Sequence, residues 1–173
     1  TAIVGGTVPI GVGIGYALKL KRKSEIICIF LGDAVIETGV FFESINFAIL
    51  KNLPVLFVCE NNLFSVYSPL SVRQPKQRKV TEMIKSMSIK SVSGDGNDPE
   101  MVHKISVDAV KSIREGGGPV FLEFETYRWL EHCGPNDDDD LGYRSVEEVI
   151  SWKKRDPILF FETVLLENKI ISN

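Results

Sequence analysis

The stretch that decides the fold opens with Ile26-Ile27-Cys28-Ile29-Phe30-Leu31-Gly32-Asp33-Ala34 and closes with Leu53-Pro54-Val55-Leu56-Phe57-Val58-Cys59-Glu60-Asn61-Asn62. Ile26 to Leu31 and Val55 to Cys59 are short apolar runs rich in branched and aromatic side chains, the pattern of strands buried on both faces. Between them, Thr38 to Lys51 carries a helical apolar period. Strand, helix and strand in that order form the repeating unit of a parallel α/β sheet.

Outward from this unit, Ile89 to Val92 and Val120 to Phe124 read as further strands, and Pro9 to Lys21 and Pro99 to Glu115 as helices. The second of these helices is well marked: Asp98 can cap it, Pro99 suits its first turn, and Gly116 can end it. Ser145-Val146-Glu147-Glu148 has the form of a capping box for a helix reaching Arg155, and Asp156-Pro157 starts another. Two segments fit neither period, Asn61 to Lys79 and Tyr127 to Arg144. Both follow a strand, where parallel sheets carry their sites. The fold class expected is α/β, a parallel sheet flanked by helices.

The chain has 173 residues, 44% apolar, with 20 Lys+Arg against 23 Asp+Glu and a net charge of -3, which suits one globular domain and excludes a polyanion-binding role driven by general charge. The three cysteines, Cys28, Cys59 and Cys133, lack paired spacing and point to reduced thiols in a cytoplasmic compartment. No apolar run is long enough to span a membrane. The opening Thr1-Ala2-Ile3-Val4-Gly5-Gly6 lacks an initiator Met, so a fragment is expected.

Two constellations compete for the chemistry. Gly11-Val12-Gly13-Ile14-Gly15, with Asp33 beyond it, resembles a dinucleotide fingerprint, but Tyr16 stands where the third glycine belongs and no strand precedes it. The plainer reading is a helix thinned by glycine for close packing. The second constellation is more specific. Asp33 and Asn62 each end a strand, and on neighbouring strands their oxygens would converge at one sheet edge. Such a pair suits Mg²⁺, which takes about six oxygens and usually draws some of them from a phosphate. Taken singly, each residue also suits a turn.

Gly32-Asp33-Ala34, the helix carrying Glu43 and Asn46, Leu53-Pro54 and Asn61-Asn62 together resemble the thiamine diphosphate motif of thiamine-dependent enzymes. Further matches are Ile3-Val4-Gly5, Gly118-Pro119, Thr126-Tyr127-Arg128, His132, Tyr143-Arg144-Ser145 and Arg155-Asp156-Pro157. Over essentially its whole length the chain is similar to the alpha subunit of the decarboxylating component of 2-oxo-acid dehydrogenase complexes, of pyruvate, acetoin and branched-chain type. The resemblance implies a single thiamine diphosphate-binding domain of the pyrophosphate type over residues 1–173, with Mg²⁺ and thiamine diphosphate as cofactors. It implies that Asp33, the Asn62 side chain and the Phe64 carbonyl hold the metal, and that Ala34 and Val35 lie against the diphosphate. Ala2 and Val4 would lie near the aminopyrimidine ring, Val4 as an apolar wedge. It also implies a beta subunit, an alpha2beta2 heterotetramer, a lipoyl-bearing acyltransferase and a 2-oxo acid substrate, with pyruvate first among them. Relatives usually carry Gly at the position of Ala34 and Tyr at that of Phe64.

Of the two histidines, His103 falls on the polar face of a helix and is expected to be solvated. His132 matches a family histidine that reaches the cofactor, and an imidazole suits proton transfer or phosphate contact. Many relatives follow it with a phosphorylated serine; Cys133 stands there, so that regulation is excluded at this position. Asp137 to Asp140 reads as a solvated, self-repelling run and Arg73 to Lys79 as a solvated basic loop.

Overall fold

The computed structural model describes residues 3–172. Helix α1 (Thr7–Leu20) leads into strand β1 (Ile27–Gly32), a 3-10 turn (Asp33–Glu37), α2 (Gly39–Leu50) and β2 (Val55–Asn61). A small hairpin, β3 (Phe64–Ser65) with β4 (Ser68–Pro69), is followed by the short helices α3 (Leu70–Arg73) and α4 (Val80–Lys85). Then come β5 (Lys90–Asp95), α5 (Pro99–Arg114), β6 (Val120–Glu125), α6 (Val146–Lys153) and α7 (Pro157–Glu167). Every strand and long helix read from the sequence is present, with ends displaced by one to three residues. The hairpin, α3 and α4 were not anticipated, because each is too short to show a period.

The four long strands form one parallel sheet in the order β1-β2-β6-β5. On one face α1, α2 and α4 bury Val8, Val12, Phe41, Ile45 and Ile84 against Ile29, Val55, Phe57 and Phe121. Phe41, Phe57 and Phe121 are wholly buried and meet edge to face at 6.1 to 6.3 Å, so truncating any one of them would cost about 3–5 kcal/mol. Gly11 and Gly15 let α1 lie on the strands: a Cβ at Gly11 would stand 2.5 Å from Ile29 Cδ1, and one at Gly15 would stand 2.7 Å from Val55 Cγ2. Gly13 faces open space. The glycine triplet therefore lies within a helix and serves packing at two of its three positions; a dinucleotide loop is not formed.

On the opposite face, among the described residues, α5 packs alone, setting Ala109 and Ile113 against Leu56, Val120 and Leu122. It does not cover β1. The expectation that β1 is buried on both faces is therefore corrected: Cys28 is exposed and Phe30 is 62% exposed, because β1 is an edge strand with a helical layer on one side only. A third cluster, Phe64, Tyr127, Val149 and Trp152, ties the hairpin to α6 and the segment after β6. Among the described residues no helix is long and apolar enough to cross a membrane.

Candidate active site

Strands β1 and β2 are hydrogen-bonded neighbours in parallel register, with Gly32 opposite Glu60, so the chain leaves both at the same edge of the sheet. Past β1 it enters the 3-10 turn that begins at Asp33. Thr38 fixes the far end of that turn, donating from Oγ1 to the Val35 carbonyl at 2.7 Å and accepting from the Phe41 amide at 3.4 Å to cap α2. Past β2, two asparagines divide the work. Asn61 is 5% exposed; its Nδ2 donates to Glu123 on β6 at 2.9 Å and its Oδ1 accepts from the Leu63 amide. Asn62 Oδ1 accepts from the Phe64 amide at 3.1 Å. Within these successive side-chain turns Leu63 takes φ 70°, and Val66, in the tight turn between β3 and β4, takes φ 53°, a left-handed backbone that non-glycine residues rarely adopt. Asn62 thus has the turn role its position allows. A carbonyl oxygen has two lone pairs, so a second partner remains open to it.

The two strand tips open onto a cavity of about 320 Å³. Asp33, Ala34 and Val35 form one wall, and Asn62 and Phe64 form another. Val4 and His132 also reach it. Val4 is 54% exposed, so it is not a core valine, and His132 is exposed at the rim. Ala2 lies outside the described residues. His103 is exposed on α5, away from this wall. A larger cavity, of about 500 Å³, opens at the tips of β2, β5 and β6 beside Arg78, Lys79 and Glu123; Asn61 and Arg155 line it, but none of the residues expected to hold the metal or the cofactor does.

Asp33 is 2% exposed, and burial raises its carboxyl pKa above the ordinary value, while Arg73 opposes that by hydrogen bond and charge. Arg73 lies at the end of α3, where its Nη2 pairs with Asp33 Oδ2 and its Nη1 with Glu37 Oε1 at 2.7 Å. Gln74, 7% exposed, donates to the same Glu37 oxygen at 2.8 Å. Two carboxylates share one guanidinium, so the cluster keeps a negative charge beside the cavity. The reading of Arg73 to Lys79 as solvated loop is corrected at its first two residues, which the hairpin folds back onto the turn after β1. No sequence signal separates Arg73 from Arg78, because the contact spans 40 residues.

The acidic run departs from expectation too. Asp137 and Asp140 are exposed, but Asp138 is 3% exposed: Arg144 Nη2 donates to its Oδ1 at 2.6 Å, and the Tyr143 hydroxyl donates to its Oδ2 at 2.8 Å. Asp139 also accepts from Arg144, at 2.9 Å. Arg128 stands 3.8 Å from Asp138 and donates to the Val66 carbonyl at 3.0 Å. The segment bearing His132 is thereby tied to the hairpin at the cavity. Opposite charges meeting across the loop overcome the self-repulsion that the local sequence suggests.

The donor set fits a hard cation bound to a phosphate. It offers one buried carboxylate, one amide oxygen and a nearby main-chain carbonyl, all of them oxygens. Among the described residues no cluster of three or more His, Cys, Asp or Glu could hold a metal by itself. Further ligands would have to come from the bound molecule.

The comparisons with known proteins agree in class. A solved structure described as a candidate thiamin diphosphate-dependent enzyme from Mycobacterium smegmatis superposes with a TM-score of 0.55 at 17% identity, over 72% of this chain and 22% of that one. The likeness shows a shared α/β fold, a parallel sheet flanked by helices. The family model "Dehydrogenase E1 component" matches residues 1–173, and the chain belongs to that family. It is 36% identical over 167 residues to a pyruvate dehydrogenase E1 component subunit alpha of Rickettsia felis, covering 96% of this chain and 50% of the relative. It is 34% identical over 166 residues to a 2-oxoisovalerate dehydrogenase subunit alpha of Bacillus subtilis, covering 96% and 49%. The chain spans about half the length of the curated relatives it matches.

Proposed function

We propose that the chain is an alpha-type subunit of a thiamine diphosphate-dependent 2-oxo-acid dehydrogenase. The carrying observation is that Asp33 and Asn62, on adjacent strand tips, share one cavity with Val4 and His132 in a member of the E1 component family. Asp33, the Asn62 amide oxygen and the Phe64 carbonyl hold Mg²⁺. Ala34 and Val35 lie along the diphosphate, and Val4, joined by Ala2, supports the aminopyrimidine end as an apolar prop. His132, at the rim, contacts the cofactor or substrate and moves a proton. When bound, thiamine diphosphate would supply the nucleophilic carbon and the electron sink that decarboxylation of a 2-oxo acid needs. The chain's own work is to hold the diphosphate through the metal, to orient the reacting end, and to exclude water with Val4 and Phe64.

The relatives' names include both pyruvate and 2-oxoisovalerate, so the substrate class is a short 2-oxo acid, with pyruvate the first to test. A beta subunit completes the site in an alpha2beta2 heterotetramer, and a lipoyl-bearing acyltransferase accepts the acyl group. The test is calorimetric titration of the full chain and its beta partner with thiamine diphosphate, with and without Mg²⁺, followed by 2-oxo acid decarboxylation assays. Mg²⁺-dependent binding, lost in Asp33→Asn, and decarboxylation are expected. Binding that ignores Mg²⁺ would defeat the metal assignment, and binding without decarboxylation of any 2-oxo acid would reduce the chain to a silent binding subunit.

A further inference from the structure

The cluster behind Asp33 is not explained by metal binding alone. Arg73 meets three acceptors at once: Asp33 Oδ2, Glu37 Oε1 at 2.7 Å, and the Ser68 carbonyl, to which Nε donates at 3.2 Å. Its side chain is 12% exposed, yet it is not part of the cavity wall that Asp33 forms. It therefore engages Oδ2 without itself lining the cavity, and Oδ1 takes no part in the Arg73 contact. A cationic group so close to a metal would ordinarily repel it. Glu37 cancels that charge, and Gln74 holds Glu37 in place. The pair Arg73–Glu37 is neutral, so Asp33 keeps its negative charge for a cation while the direction of its carboxyl is fixed.

We propose that Arg73, neutralised by Glu37, is a positioning residue for the metal-binding carboxylate of Asp33. The inference rests on the reading of Asp33 as a Mg²⁺ ligand. Groups that orient a metal ligand typically contribute 10–100-fold to metal affinity, and a fork that bridges two carboxylates suits arginine better than lysine, whose single ammonium is a point charge. Arg73 comes from a four-residue helix after the hairpin, so the clamp also couples the segment following Asn62 to the turn following β1.

The opposite model is that Arg73 is a placeholder, occupying Asp33 until a metal displaces it. The two models differ in sign. The experiment uses the full chain with its beta partner, and Mn²⁺ as a spectroscopic stand-in for Mg²⁺, with electron paramagnetic resonance reading bound metal at saturating thiamine diphosphate. Positioning predicts that Arg73→Met raises the apparent Mn²⁺ dissociation constant about 10–100-fold. Arg73→Lys should fall between Met and wild type. Glu37→Gln, which keeps the Asp33 contact but exposes the guanidinium charge to the metal, should also weaken Mn²⁺ binding while leaving the melting temperature of the unloaded protein within a few degrees. In Arg73→Met/Glu37→Gln the two effects should not add. Unchanged or tighter Mn²⁺ binding in Arg73→Met, with normal binding in the wild type, overturns the inference and leaves the functional reading intact. Absence of Mn²⁺ binding in the wild type overturns both. Should Arg73→Met fail to fold, Arg73→Lys and Glu37→Gln carry the test: normal Mn²⁺ affinity in both overturns the proposal.

Discussion

Two arginine–carboxylate clusters flank the hairpin, and they differ in charge balance. Behind the cavity, Asp33 and Glu37 share Arg73, one cation for two anions. Across the hairpin, Asp138 and Asp139 face Arg144, Arg128 and Lys153, three cations for two anions, with a tyrosine hydroxyl satisfying a further lone pair. In the second cluster each carboxylate meets at least one cation, and it reads as a latch on the His132 segment. The first borders the cavity and carries a surplus negative charge that a cation would neutralise. A buried acid with an incomplete set of partners is a candidate for ligand binding, and one with a complete set is a candidate for stability.

The contrast is broken most sharply by Asp33→Asn. Its expected effect is a loss of metal-dependent cofactor affinity of about a hundredfold or more, beyond the usual effect of an orienting residue, measured by calorimetry. The unloaded protein should melt no lower than wild type. Because burial raises the Asp33 pKa in the folded state, ionising it opposes folding: its contribution is present below the ordinary carboxylate pKa and is lost as pH rises through the folded value. A clear drop in the melting temperature of unloaded Asp33→Asn would show that this cluster, too, is a latch.

Arg144→Met should do the reverse. It removes the closest cation from Asp138, 3% exposed, and breaking that buried pair is expected to cost about 3–5 kcal/mol in denaturant unfolding. The metal ligands lie outside the latch, so Mn²⁺ affinity measured under folding conditions should change less than in Asp33→Asn. Equal losses in both variants would erase the distinction between the clusters.

The smallest effect is expected where Arg144 stacks over the Tyr127 ring, 5.5 Å from its centroid. The Tyr127 hydroxyl is buried without a hydrogen-bond partner, so Tyr127→Phe should change stability by less than about 1 kcal/mol, in either direction. Burial pushes the Tyr127 pKa up to about 12 from 10.0, so its neutral form favours folding at ordinary pH, and that contribution is lost as pH rises from 10.0 through about 12. Unfolding curves followed by phenolate absorbance should show an alkaline loss in wild type that is reduced in Tyr127→Phe.

Much of this arrangement is legible in the chain itself. The runs from Ile26 and Val55 are apolar enough to form strands wherever they lie, and the helix between them makes the pair parallel. Asp33 and Asn62 then fall at the same edge with no further information. Contacts that join distant segments are not legible. Arg73 lies in a loop indistinguishable from its basic neighbours, and Asp138 lies in a run that looks solvated. Phe30, in a run that reads as buried, is exposed.

The sequence by itself determined the strand–helix–strand unit and the polar residues at its tips, because apolar periodicity acts over a few residues; that β1 and β2 are neighbours and their tips share a cavity was settled by the fold. Only the tertiary structure decided which charges pair, which acid keeps a surplus and which face of β1 stays open. Those outcomes depend on how segments far apart in the chain pack, and Coulomb energy and burial follow distance in space.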